Sequence, residues 1–258
     1  MHPDAKRFVE SEKQFHLGNL VTEQFHPETM DLSQTAGTDP AAGLRKLLAV
    51  DRDVLARLRD WAATGQAEAM AQDVARAVEG GGRVFFAGCG ATGRLSILLD
   101  QAWRRFWQDL KLRAPGLAGR LPDWENRSAS VMSGGDYALI RSVEGYEDYA
   151  AFGRRQMMDR GVAAGDALFA ITEGGETSFV IGAAWQGVDA GARVSFIYNN
   201  PRERLADIRR SAEIIADRRV RDVCIPTGPM AISGSTRMQA TTAEMAVAGC
   251  ALEMALDR

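Results

Sequence analysis

Five times between residues 83 and 227, a short run of apolar β-forming residues gives way to a stretch with helical spacing. The strand-like runs are RVFFAG (83–88), SASVMSG (128–134), DALFAIT (166–172), RVSFIYN (193–199) and RDVCIPT (221–227). The intervening helical stretches are LSILLDQAWRRFW (95–107), a charged stretch around 141–160, SFVIGAAWQGVDAG (178–191) and RERLADIRRSA (202–212). A long Ala- and Met-rich run follows the last strand over 235–256. Strands apolar on both sides that alternate with helices predict a parallel sheet covered on both faces, an α/β/α sandwich. In such sheets ligands sit beyond the carboxyl ends of the strands, so the loops that leave those ends are the place to look for function.

What precedes the first strand is helical in part. From Ala41 to Glu79 the apolar residues Leu44, Leu47, Leu48, Val54, Leu55, Leu58 and Trp61 recur at helical intervals, and Gly80-Gly81-Gly82 ends the run. Residues 1–40 read as polar and irregular. The expected division is an N-terminal helical extension over 1–50 and a ligand-binding domain over 51–258.

Composition removes several function classes. The chain has 258 residues, a net charge of −3 and 46% hydrophobic residues, enough for one sizeable core. It has no clustered Lys and Arg of the kind that binds nucleic acid, no run of about 18 apolar residues that would span a membrane, and no apolar signal segment in MHPDAKRFVESEKQ. The three cysteines (Cys89, Cys224, Cys250) and three histidines (His2, His16, His26) show no disulfide or metal spacing. A reduced, cytoplasmic protein without metal or cofactor is expected.

Three loops at the carboxyl edge are rich in Gly, Ser and Thr. AGCGATGRLS (87–96) places Gly88, Gly90 and Gly93 as G-x-G-x-x-G between a strand and a helix. There the backbone N–H groups of Gly90, Ala91, Thr92 and Gly93 and the helix N-terminus suit an anion. A dinucleotide fingerprint needs an acidic residue about 20 residues on. The next strand-like run instead ends in MSGGD, about 45 residues after the first glycine. Thr92 and Arg94 suit a phosphate better. ITEGGETS (171–178) offers Thr172, Gly174, Gly175 and Thr177 for an anion. Of Glu173 and Glu176, one takes sugar hydroxyls or acts as a base, unless both are solvated loop charges. TGPMAISGSTRMQATTAEM (227–245) offers Ser233, Ser235 and Thr236, with Ser233 and Ser235 placed to cap the last helix and Arg237 in its first turn. A cation there opposes the helix dipole, which is explained either by a nearby anion or by pairing with Glu244 or Asp136. Trp103 and Trp107 read as a core stripe, Cys89 as packing, and the charges around Arg202–Arg210 as a solvated helix face.

The motifs AGCGATGRLSILL, MSGGDYALIRSVEGYEDY, ITEGGETSFVIGA and TGPMAISGSTRMQATTAEM, in this order, resemble the sugar isomerase (SIS) domain family. Within it they are most like the group that holds N-acetylmuramic acid 6-phosphate etherase and the glucokinase regulatory protein. LVTEQFHPETMDL (20–32) is similar to that group's TEQ-x-NP segment, with His26 where Asn is usual. The resemblance covers roughly residues 20–250. It implies a five-stranded parallel α/β/α sandwich, a homodimer and a sugar-phosphate site. It also implies a C-terminal helical domain in the etherases, so the final helix is expected to cover a partner subunit or such a domain.

The resemblance carries etherase chemistry only in part. Glu147, in Glu144-Gly145-Tyr146-Glu147-Asp148, matches one catalytic glutamate. The position of the other is about Ala102, and Asp100, two residues away, is swung about 160° round the helix axis. Gly174 stands at a family serine, Glu176 at an arginine, Gln239 at a lysine, and Glu244 and Met245 at a Gln and a Lys. The expectation is therefore a sugar-phosphate-binding sensor or regulatory domain. The alternative is an enzyme on a phosphorylated amino sugar, a lyase or isomerase using Glu147 with Asp100 or Glu176. A third reading is an interaction domain with a vestigial pocket.

Overall fold

A computed structural model describes residues 2–143 and 145–257. Its centre is a five-stranded, all-parallel sheet in the order β2-β1-β3-β4-β5, with β1 at Val84–Gly88, β2 at Ser128–Met132, β3 at Ala167–Ile171, β4 at Arg193–Tyr198 and β5 at Val220–Cys224. The sheet is in register from Val84 opposite both Ser128 and Ala167 to Tyr198 opposite Cys224. The inner strands β1 and β3 are buried at every residue, whereas the edge strands β2 and β5 are buried only in part. This is why the central runs read as continuous apolar stretches.

Helices cover both faces. Before the sheet come α1 (Pro3–Ser11), α2 (Leu32–Thr38), α3 (Pro40–Ala49), α4 (Asp51–Ala62) and α5 (Gln66–Glu79). Within it come α6 (Gly90–Arg113), the single turns α7 (Pro115–Ala118) and α8 (Tyr137–Ile140), then α9 (Ala150–Asp159) and α10 (Ser178–Asp189). The turn α11 (Arg202–Leu205), α12 (Arg209–Ala216) and α13 (Gln239–Leu256) complete the order. One core joins α4, α5, α6 and α13 to the face of Val84, Phe86 and Phe169. The other joins α9, α10 and α12 to the face of Phe85, Leu168 and Phe196. Phe85, Phe86, Phe169, Phe179 and Phe196 are at most 1% exposed, and full burial of each contributes about 1.5–3 kcal/mol. Trp103 and Trp107 belong to the first core, where the Trp103 indole donates to the Trp124 carbonyl at 2.8 Å.

Several element boundaries differ from the sequence reading. Residues 1–40 are not irregular. Pro3 opens α1 and the His2 ring accepts from the Asp4 N–H, so local capping makes a helix that buries nothing. The run 41–79 is three helices, divided at Val50 and at Gly65, whose φ is +73°. The stretch around 141–160 holds a single 3-10 turn at Tyr146–Asp148, after Gly145 at φ +81°, and becomes α-helical at Ala150. The stretch 202–212 is split into α11 and α12. The last helix starts at Gln239, not Ser235.

Helices α9 and α10 meet backbone to backbone. A Cβ on Gly153 would lie 1.9 Å from the Phe179 carbonyl oxygen, and one on Gly182 would lie 2.0 Å from that of Ala150. Only glycine permits that approach. Among the described residues, no helix is long and apolar enough to cross a membrane.

Candidate functional site

Strand order sets the location of the site. The chain leaves β1 for one face of the sheet and β3 for the other, so their carboxyl ends open a crevice between adjacent strands. A cleft of about 200 Å³ lies there, lined by Glu23, Cys89, Gly90, Ala91, Thr92, Glu147, Glu173, Gly174, Glu176, Thr177, Thr236 and Arg237. It draws on all three sequence loops, the turn that carries Glu147, and the N-terminal segment.

After β1 the backbone turns tightly: a Cβ on Gly88 would meet the Thr92 carbonyl carbon and oxygen at 2.4 Å. The Thr92 hydroxyl accepts from the Cys89 N–H and donates to the Cys89 carbonyl, both at 2.9 Å. Its role is to shape the loop. Gly90, at φ +55°, has no atom within 4 Å of a notional Cβ, so its backbone stands open. Gly93 packs on Met132, 2.6 Å from the place a Cβ would take, and Arg94 donates to the Gly90 carbonyl at 3.0 Å. Arg94 lines an adjoining smaller recess with Ser133 and Glu147 instead of the cleft itself.

After β3, Thr172 donates to the Thr177 hydroxyl at 3.1 Å. Glu173 is 9% exposed. Its carboxylate accepts from the Thr236 hydroxyl at 2.8 Å and from the Thr241 hydroxyl. Gly175, at φ +80°, lies against Leu205 and Tyr198 and leaves no room for a side chain. Glu176 is not a free loop charge: Arg210 holds its carboxylate at 2.9 Å and also donates to its carbonyl. That contact and the Arg202–Asp222 pair engage two arginines of the Arg202–Arg210 stretch, whose other charges, Glu203, Arg204, Asp207 and Arg209, are exposed as a solvated face would be.

The third loop corrects another expectation. Neither Ser233 nor Ser235 caps the last helix, which starts from Met238 without a side-chain cap. Ser233 donates to the Glu23 carbonyl at 3.0 Å, tying this loop to the N-terminal segment. The loop is fixed by Gln239, whose amide accepts from the Ala231 N–H at 2.6 Å and donates to the Pro229 carbonyl at 2.7 Å. Arg237 therefore precedes the helix. It is exposed and makes no ion pair with the described residues, so it pairs with neither Glu244 nor Asp136.

Glu147 sits on the turn Tyr146–Asp148 and accepts a hydrogen bond from the Cys89 thiol at 3.6 Å. Burial, aided by the Glu147 charge, pushes the Cys89 thiol up to about 12. From an ordinary value of 9.0 that lowers the thiolate fraction about a thousandfold. Alkylation of Cys89 by iodoacetamide at pH 8, followed by peptide mass spectrometry, is expected to run slower than that of a free cysteine by roughly that factor. Equal rates would show that the thiol is not held as described. All three cysteines are free.

Asp100 accepts from Ser128 and Arg104 on the sheet edge, outside the cleft, and Ala102 is exposed there too. Neither supplies a second acid to Glu147. His26 also turns away, accepting from the Glu28 N–H at 3.1 Å while its other nitrogen meets Asp53 at 3.0 Å. Among the described residues no group of His, Cys, Asp and Glu is arranged to hold a metal.

Sequence reasoning missed the buried clasp at Asn200. Its amide accepts from the Val21 N–H at 2.8 Å and donates to Thr22 at 3.0 Å and to the Gly174 carbonyl at 2.9 Å. It thereby locks the N-terminal segment onto the second loop. The signal was the pair Asn199-Asn200 at the end of β4. Glu244 lies directly behind the site, wholly buried, with neither carboxyl oxygen hydrogen-bonded. Burial, then the nearness of Glu173, holds its pKa well above the usual carboxyl range.

Residues 66–186 match the family profile of the glucokinase regulatory protein N-terminal SIS domain. The chain is 32% identical over 225 residues to an N-acetylmuramic acid 6-phosphate etherase of Deinococcus radiodurans, covering 86% of this chain and 64% of that protein. It is 33% identical over 230 residues to the etherase of Thermosynechococcus vestitus, covering 88% and 64%. An SIS domain spans residues 66–186. The chain spans just under two thirds of the length of those etherases. The same SIS fold is seen in a phosphoheptose isomerase from Francisella tularensis, which aligns with a TM-score of 0.55 at 14% identity over 83% of this chain and 98% of that one.

Proposed function

We propose that this SIS domain binds a phosphorylated sugar and acts as a sensor or regulatory module, not as a full etherase. The observation that carries the reading is Arg237, an exposed guanidinium without an ionic partner among the described residues, in the same cleft as the open N-terminus of α6 at Gly90 and Ala91. A helix N-terminus and a free guanidinium together suit a phosphate. The regulatory part of the reading is supported by the lack of a second acid where the resemblance would place one, with Ala102 outside the cleft and Asp100 engaged by Arg104. A cytoplasmic homodimer without cofactor belongs to the same reading.

Thermal-shift titration with hexose and hexosamine 6-phosphates tests it. A ligand present at a hundred times its Kd is expected to stabilise the fold by about 2.7 kcal/mol. Arg237→Ala is expected to weaken binding roughly tenfold to a hundredfold, the loss of one hydrogen bond to a charged group. An unchanged affinity would remove Arg237 from the site.

A second reading, an enzyme on a phosphorylated amino sugar, is favoured by one observation. Glu147 and Glu173 line the same cleft, and two carboxyls there could share acid and base roles. Turnover of N-acetylmuramic acid 6-phosphate that is abolished by Glu147→Gln would establish it over the first.

A further inference from the structure

The charge balance of the cleft is unusual for a site that takes an anion. Four carboxylates line it, Glu23, Glu147, Glu173 and Glu176, against Arg237 as the one cation among the described lining residues. Arg210 answers Glu176 from behind. Among the described residues no cation forms an ion pair with Glu173. Its partners Thr236 and Thr241 are neutral hydroxyls, which orient the carboxylate without cancelling its charge. Glu244, behind it, is wholly buried and its two oxygens have no partner, so the interior offers no cation from that side either. A nearly buried carboxylate left without a counter-charge is costly. The cost falls if the ligand brings the charge. The described side chains do not form a metal site, and an organic cation on the ligand would supply the charge.

We propose that the ligand of this cleft is a sugar phosphate carrying a free, protonated amino group. The phosphate lies toward Arg237 and the first N–H groups of α6, and the ammonium lies against Glu173. The proposal rests on the sugar-phosphate reading above and narrows it. An N-acylated sugar replaces the ammonium with a neutral amide and loses this contact. A lactyl ether adds a further carboxylate to a cleft that already holds four.

The test compares three ligands on the full chain at pH 7 by isothermal titration calorimetry: glucosamine 6-phosphate, glucose 6-phosphate and N-acetylglucosamine 6-phosphate. Glucosamine 6-phosphate is expected to bind at least tenfold more tightly than either of the others. Glu173→Gln is expected to erase that preference by weakening glucosamine 6-phosphate binding, and Glu203→Gln, exposed and outside the cleft, to retain it. If glucose 6-phosphate or N-acetylglucosamine 6-phosphate binds as tightly in the unaltered protein, or if the preference survives in Glu173→Gln, the amine proposal is overturned and the sugar-phosphate reading stands. If none of the three binds at millimolar concentration, both are overturned. The ranking in the unaltered protein decides the matter even should Glu173→Gln fail to fold.

Discussion

Gly182→Ala is expected to destabilise the fold by about 3 kcal/mol net, a fall in Tm on the order of 10 °C. Two effects oppose each other. Alanine is the better helix former by about 1 kcal/mol. Against that, the new Cβ would sit 2.0 Å from the Ala150 carbonyl oxygen and 2.6 Å from its carbon, and backbone atoms cannot rotate away as a side chain could. Helix α9 must move as a body, giving up its packing on α10. Steric cost of this kind exceeds the propensity gain. The matched control is Gly249→Ala in α13, where nothing lies within 4 Å of the added Cβ and only the propensity term acts, so a gain of up to about 1 kcal/mol is expected. Urea unfolding of both variants checks the pair, and a Gly182→Ala protein as stable as the parent would mean that α9 and α10 are not in backbone contact. Because α9 follows directly on the turn that bears Glu147, the same variant is expected to disturb the cleft.

Glu244→Gln is expected to stabilise the protein, and by more at higher pH. The folded-state pKa of Glu244 is raised, by burial first and by Glu173 second. Below the unfolded-chain value, near 4.3, both states hold the proton and the group adds no pH dependence. Above it the unfolded chain ionises while the folded chain keeps its proton. Folding then loses about 1.4 kcal/mol per pH unit until the folded carboxyl also ionises. Glutamine carries no proton to lose. The advantage of Glu244→Gln should therefore be larger at pH 7 than at pH 5. Denaturant midpoints of the two proteins across that range read it directly, and a constant difference would show that Glu244 titrates normally.

The sheet was legible because its signal is local. Phe85 and Phe86 point to opposite cores and both must be apolar, so β1 announces itself within six residues. The loops after β1 and β3 were legible for a similar reason, since a tight turn at Gly88 and a positive φ at Gly175 each require a particular residue. What escaped depends on partners far away in sequence. Asn200 reaches Val21 and Thr22, 179 and 178 positions back. The start of α13 is set by the Gln239 amide gripping Pro229 and Ala231, which no hydroxyl-before-helix rule anticipates. The Glu244 substitution was visible as a departure from the family pattern, but its complete burial follows from the packing of α13 against β4 and α5. The pairing of Glu176 with Arg210 likewise joins the loop after β3 to α12, 34 positions on.

The divergence of the chain at β1 and β3 has a mechanical consequence. The first turn of α6 belongs to one layer of the sandwich and the first turn of α10 to the other, and the two helices share no hydrophobic core. A molecule seated against Gly90 on one side and Thr177 on the other would span the sheet edge like a rivet. It would couple two layers whose hydrophobic cores are separate, so occupancy of a small cleft would be felt as stiffness across the whole sandwich.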